Sequence, residues 1–253
     1  MEIIYKKNNI ASNVCNMEKV FLAKAGSGNF VYLAGNKIIK VFQKPDNEIP
    51  NYLYMIQHCK NPIVNNFITH FDYIVKCDNE IYIAMDRNEF MLDKEFISDK
   101  SSKIKKCLLL QALLVIYYFN HDCKLFFNDI YTYHTLVRNT MVNKKDIEIK
   151  DIIDIPKCGY QLKFIDYGHV STRPKLRTRD YINRYFPQLA KHNIYSEVLL
   201  FTLFYARING EKFKDIQTKL ELVSNQLLKK TKNAQTFDKL FIKYVQEQNL
   251  KKH

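Results

Sequence analysis

Four stretches of this chain carry residue types suited to phosphate and hydroxyl chemistry. Lys24-Ala25-Gly26-Ser27-Gly28-Asn29-Phe30 sets two glycines between strand-like residues. Backbone N–H groups can approach a phosphate where no side chain obstructs them, as at Gly26 and Gly28. A two-glycine hairpin can also be only a hairpin. Lys40 is a lone charge among branched apolar residues in Ile38-Ile39-Lys40-Val41-Phe42. It is either a phosphate contact or the solvent face of an alternating strand. Asp129, in Phe127-Asn128-Asp129-Ile130-Tyr131-Thr132-Tyr133-His134, follows a short apolar run, and so does Asp166 in Phe164-Ile165-Asp166-Tyr167-Gly168. Carboxylates so placed can orient a hydroxyl or hold a divalent ion. Loop aspartates also serve as turn formers and caps.

The elements that must position these residues follow a definite order. The β-rich runs 29–34 and 37–42, joined by Gly35-Asn36, read as a hairpin. A helix is expected over 49–59, with Pro50 near its start, where proline is tolerated. Strands are expected over 70–77 and 80–85 around Asp78-Asn79, then a buried helix over 103–121. Short apolar runs at 125–129 and 135–142 flank a polar loop, and a strand over 161–166 runs into Asp166. From there the pattern is helical to the end, including the apolar stretch 196–208. Residues 143–156 are charged and read as a surface excursion. Strands first and helices afterwards give an α+β chain with a small β-rich lobe over 1–87 and a larger helical lobe over 88–253.

Composition narrows the class. Of 253 residues 47% are hydrophobic, enough for a substantial core. Lys and Arg number 39 against 26 Asp and Glu, a formal charge of +13. That balance favours nucleotides, nucleic acid, acidic peptides or acidic membrane surfaces without choosing among them. The six cysteines, Cys15, Cys59, Cys77, Cys107, Cys123 and Cys158, form no C-x-x-C pair. Neither a zinc site nor a disulfide framework is indicated, so reduced thiols in an intracellular, cytoplasmic setting are expected. The first residues lack the apolar core of a signal peptide. The apolar stretch 107–119, interrupted by Gln111, is too short to span a bilayer and suits a buried helix.

A glycine-bearing hairpin, a strand lysine, a helix, two strands, a long buried helix, an aspartate loop, a strand and Asp-x-Gly follow the order of the protein-kinase signature set. The sequence resembles the eukaryotic-type protein-kinase superfamily. More narrowly, it is similar to the divergent serine/threonine kinases of large DNA viruses, the poxvirus virion-associated type. The resemblance covers residues 25–207 through AGSGNFVYLAGNKIIKVF, EIPNYLYMI, LLLQALLVIYYF, FFNDIYTYHTLV, FIDYG and YSEVLLFTL. It implies a two-lobed fold, ATP with Mg2+ or Mn2+, and a protein substrate, acidic or virion-associated, in the host cytoplasm or virion. Gly26 and Gly28 would cover the nucleotide phosphates and Lys40 would contact the α- and β-phosphates. Glu48 would be the helix partner of Lys40, and Met85 and Asp86 would begin the adenine-contacting hinge. Asp129 would accept the substrate hydroxyl proton and Asp166 would bind the metal. Glu197 would be a buried brace for the loop around Asp129.

The chain departs from that pattern in ways that bear on activity. His134 stands where the resemblance implies an asparagine ligand for a second metal, and imidazole suits manganese better than magnesium. Tyr131 stands where a lysine would steady the γ-phosphate. Asn29 replaces the last loop glycine, and Phe127 replaces a histidine. No Ala-Pro-Glu follows Asp166. Arg173, Lys175, Arg177 and Arg179 cluster instead, either as a solvated loop or as a dock for an acidic substrate. Three further readings stand beside a protein serine/threonine kinase. They are a pseudokinase serving as an interaction module, a small-molecule kinase, and, from charge alone, a nucleic-acid-binding protein.

Overall fold

The computed structural model describes residues 2–6, 14–24, 29–44, 46–88, 90–140, 149–150, 152–155 and 157–248. Gly26 and Gly28 lie outside them, as does most of the charged stretch 143–156. The chain is a mixed α+β protein whose strand pairs are all antiparallel among the described residues. Contacts divide it into two compact units, Met1–Asn47 with Ile68–Asn88, and Glu48–Phe67 with Glu89–His253.

The first unit is a six-stranded sheet. Its strands are β1 (Glu2–Lys6), β2 (Val20–Lys24), β3 (Phe30–Ala34) and β4 (Lys37–Phe42), then, after two helices of the other unit, β5 (Phe71–Cys77) and β6 (Glu80–Asp86). Their order across the sheet is β1-β5-β6-β4-β3-β2. Gly35, with φ +60°, turns β3 into β4, and Asp78, with φ +53°, turns β5 into β6. Both turns need a residue that tolerates the left-handed region. Alternation along β4 buries Ile39 and Val41 with Ala34, Val75 and Ala84. Strand β1 was not legible locally, because it exists through pairing with β5, where Ile3 lies opposite Val75.

The second unit opens with α1 (Glu48–His58) and α2 (Pro62–Phe67). It continues through β7 (Phe90–Met91), α3 (Lys94–Ser98), α4 (Ser102–His121), β8 (Thr135–Asn139), β9 (Ile149–Lys150), β10 (Asp154–Ile155) and β11 (Tyr160–Phe164). It closes with α5 (Leu176–Tyr185), α6 (Pro187–Lys191), α7 (Glu197–Ile208), α8 (Phe213–Leu228) and α9 (Ala234–Glu247). Helix α4 is capped by the Ser101 hydroxyl and is buried along most of its length after Cys107. Gln111, the polar interruption in its apolar run, donates to the Tyr160 carbonyl at 2.9 Å and accepts from Leu162 N–H at 3.0 Å. The interruption therefore fixes β11 against the helix. Helix α1 joins this unit through its buried face. Tyr52 packs on Tyr167 with centroids 5.6 Å apart, and Asn51 donates to the Tyr167 and Gly168 carbonyls. Burying such rings contributes roughly 2 kcal/mol each.

The cysteines correct the expectation of reduced thiols. Cys15 pairs with Cys77, Cys59 with Cys123, and Cys107 with Cys158, so none is free. The partners are 51 to 64 residues apart in sequence, and each pair lies within one unit. Spacing along the chain carries no sign of such pairs, because the fold rather than a local motif makes them neighbours. No helix among the described residues is long and apolar enough to cross a membrane.

Candidate functional site

In the second unit, the β8–β11 ladder sets Phe164 opposite Thr135. One step further, Ile165 N–H donates to the His134 carbonyl at 3.0 Å. This register brings His134 beside Asp166. Strand β11 ends at Phe164, earlier than its apolar run suggests. Asp166 has φ +66°, a conformation open to Asp and Asn but closed to a continuing strand. Its own carboxylate accepts from Gly168 N–H at 3.3 Å.

The loop over residues 125–134 rests on an aromatic floor. Phe127 stacks on Phe119 at 4.0 Å and on Phe164 at 5.0 Å, so its side chain serves packing. Beneath it, Glu197 is fully buried at the start of α7. One carboxylate oxygen accepts from Phe127 N–H at 3.0 Å and Asn120 Nδ2 at 2.9 Å, and the other from Asn128 N–H at 2.6 Å. Burial pushes its pKa up to about 7 against the pull of these hydrogen bonds. The expectation of a buried brace here is met.

Asp129 and Asp166 are linked through one imidazole. His134 Nδ1 lies 2.9 Å from the Asp129 backbone carbonyl, and its Nε2 lies 3.6 Å from Asp166 Oδ2. A carbonyl only accepts, so Nδ1 carries the proton, and in the neutral ring the Nε2 lone pair faces the Asp166 carboxylate. Two ligands of one ion, each about 2.1 Å from it, stand about 3–4 Å apart. That spacing is one at which Asp166 and His134 could hold an ion together, although no group of three or more metal-binding side chains occurs among the described residues. Two protein ligands suffice for an ion whose remaining ligands are phosphate oxygens and water.

The Asp129 carboxylate is only 10% exposed and is ringed by positive or protonatable groups. Arg177 Nη1 is 2.8 Å from its Oδ1, while His134 Nδ1 and His169 Nε2 are 3.7 and 3.9 Å from its Oδ2. Oδ1 is buried and receives no aligned hydrogen bond, so the ionic contact with Arg177 is what offsets its charge.

Asn128, unremarked in the sequence, joins this loop to the segment after Asp166. It is buried with φ +61°. Its amide donates to the Ser171 hydroxyl at 2.8 Å and the His169 carbonyl at 3.1 Å. Its oxygen accepts from Lys175 N–H at 2.6 Å and the Thr178 hydroxyl at 3.2 Å. The positions of these partners in the fold, not any local spacing, give Asn128 its role. The same holds for Asn51 beneath the Asp-Tyr-Gly segment.

The remaining expected residues sit as follows. Lys40 lies on β4 between Val31 and Ile83, with its ammonium 5.1 Å from the Phe42 ring. Met85 is buried on β6 opposite Ile38, and Asp86 ends that strand, paired with Lys37 at 2.7 Å. These three belong to the first unit, whereas Glu48, buried in the first turn of α1, belongs to the second.

No family model matches the chain, and no curated protein matches it. Among solved structures it is similar to the crystal structure of the kinase domain of PF14_0431, with 15% identity over 62% of this chain and a TM-score of 0.43. The match spans 52% of that chain, about half its length.

Proposed function

We propose that this chain is an ATP-dependent protein kinase that transfers the γ-phosphate to a serine or threonine hydroxyl, with Mg2+ or Mn2+ as cofactor. The observation that carries this reading is the placement of His134, which ties the backbone of Asp129 to the carboxylate of Asp166. Asp166 and His134 would hold the ion. Such an ion would supply positive charge to offset the negative charge of the transferring phosphate. Asp129 would orient the acceptor hydroxyl and take its proton, an assignment supported by its place in the loop beside His134 and Arg177. Lys40, Gly26 and Gly28 would hold the triphosphate, Glu48 would partner Lys40, and Met85 and Asp86 would border the adenine. The exposed basic residues Arg173, Lys175 and Arg179 favour an acidic acceptor segment.

A second reading, a pseudokinase, is favoured by the ionic contact that already occupies Asp129. Phosphate transfer from labelled ATP to acidic, basic and virion-type proteins separates the two. Transfer by the wild type, lost in Asp129→Asn with ATP-induced thermal stabilisation kept, supports the kinase. Stabilisation without transfer establishes the pseudokinase. Transfer to a small alcohol alone establishes a small-molecule kinase.

A further inference from the structure

Phosphoryl transfer places negative charge on the equatorial oxygens of the moving group, and a cation beside the acceptor aspartate stabilises that charge. Residues 125–134 contain no lysine or arginine. The guanidinium at Asp129 comes instead from Arg177, in the first turn of α5 and 48 positions further along the chain.

The fold builds a seat for it. The Arg177 guanidinium lies 5.0 Å from the Tyr131 ring centroid and donates to the Tyr131 hydroxyl at 3.3 Å. Tyr131 is held by a stack on Tyr133 at 5.0 Å, by Phe204 at 4.7 Å and by a hydroxyl–hydroxyl hydrogen bond to Tyr181. The Tyr131 ring face thus presents its π-system to the guanidinium. Arg177 itself is half-exposed, with room to address a second anion, and its contact with Asp129 aligns no N–H on Oδ1.

We propose that Arg177 is a catalytic residue, the cation that stabilises the transferred phosphoryl group, seated on Tyr131. The proposal rests on the kinase reading above. In the step, the acceptor hydroxyl oxygen forms a bond to the γ-phosphorus and gives its proton to Asp129. The bond from that phosphorus to the β,γ-bridging oxygen breaks, and its electron pair leaves with ADP. Arg177 neutralises the equatorial oxygens throughout and neither gains nor loses a proton.

The test is steady-state transfer from labelled ATP to a serine/threonine peptide library by the full chain and by Arg177→Ala, Arg177→Lys and Arg177→Gln. Thermal melts verify that each variant is folded. Arg177→Ala and Arg177→Gln should each lose about a hundredfold or more in kcat, with KM for ATP changed less than about threefold. Arg177→Lys should fall between them and wild type. Millimolar guanidinium should restore part of the Arg177→Ala rate. Should Arg177→Ala fail to fold, Arg177→Gln decides by the same criterion. Wild-type rates in the alanine or glutamine variant, or rates above wild type as expected of a released block on Asp129, overturn the proposal and leave the kinase reading intact. A wild-type chain that transfers nothing overturns both.

Discussion

The imidazole of His134 stands 3.6 Å from the carboxylate of Asp166 and 2.9 Å from the backbone carbonyl of Asp129. Under the kinase reading, an asparagine here would keep a donor to the Asp129 carbonyl and offer an amide oxygen in place of the imidazole nitrogen. His134→Asn should therefore raise magnesium-supported transfer several-fold and lower the preference for manganese. The measurement is the ratio of rates in the two metals. An unchanged ratio would remove His134 from the metal's ligands.

Glu197 makes stability depend on pH. Its folded pKa of about 7 lies above the ordinary 4.5, so between those values the folded state holds a proton that the unfolded state has released. Stability should fall as pH rises through that window, by on the order of 3 kcal/mol, and level off above it. Glu197→Gln cannot titrate. It should lose this slope while becoming less stable overall by about 1–3 kcal/mol, since its amide meets backbone N–H donors. Urea midpoints at pH 5 and pH 7.5 measure both effects.

Removing the Asn128 side chain should loosen the segment that follows Asp166. Asn128→Ala loses the bonds to Ser171, His169, Lys175 and Thr178 and places an alanine at φ +61°, a combined cost of about 2–4 kcal/mol. Asn128→Gly relieves the backbone term alone. Limited proteolysis within residues 169–178 should quicken in both variants. Cleavage at the wild-type rate in both would show that the segment is held by other contacts.

The disulfides predict a redox-dependent stability. Each closes a loop of 51 to 64 residues, worth about 4 kcal/mol in chain entropy. Peptide maps without reductant should show the three linked pairs, and reduction should lower Tm. Six titratable thiols in the folded protein would contradict the pairing.

What could be read from the sequence was local. The hairpin of β3 and β4, the buried helix α4 and the strand before Asp166 follow from periodicity and turn residues. Glu197 could be placed only through the resemblance, and the structure adds that it follows the capping Ser196 at the head of α7. Arg177 stood out only as one charge in a basic cluster, for which solvation is the default. Its contact with Asp129 depends on how α5 returns to the loop, and no spacing encodes that return. Strand β1, the three disulfides and the amides of Asn51 and Asn128 were hidden for the same reason. Each is defined by a partner between 41 and 117 residues away.

The interleaving of the two units sets an order of events during synthesis. The chain passes from the sheet into α1 and α2, returns for β5 and β6, and leaves again. Strand β1 finds no neighbour until β5 has been made. The buried face of α1 waits longer, because Tyr167 and Gly168, on which Tyr52 and Asn51 settle, are translated roughly 100 residues after α2. At ordinary elongation rates that is about 5–20 s with an apolar helix face uncovered on the ribosome. A chain truncated before residue 168 would carry that face permanently exposed, so neither unit can be obtained by a single cut.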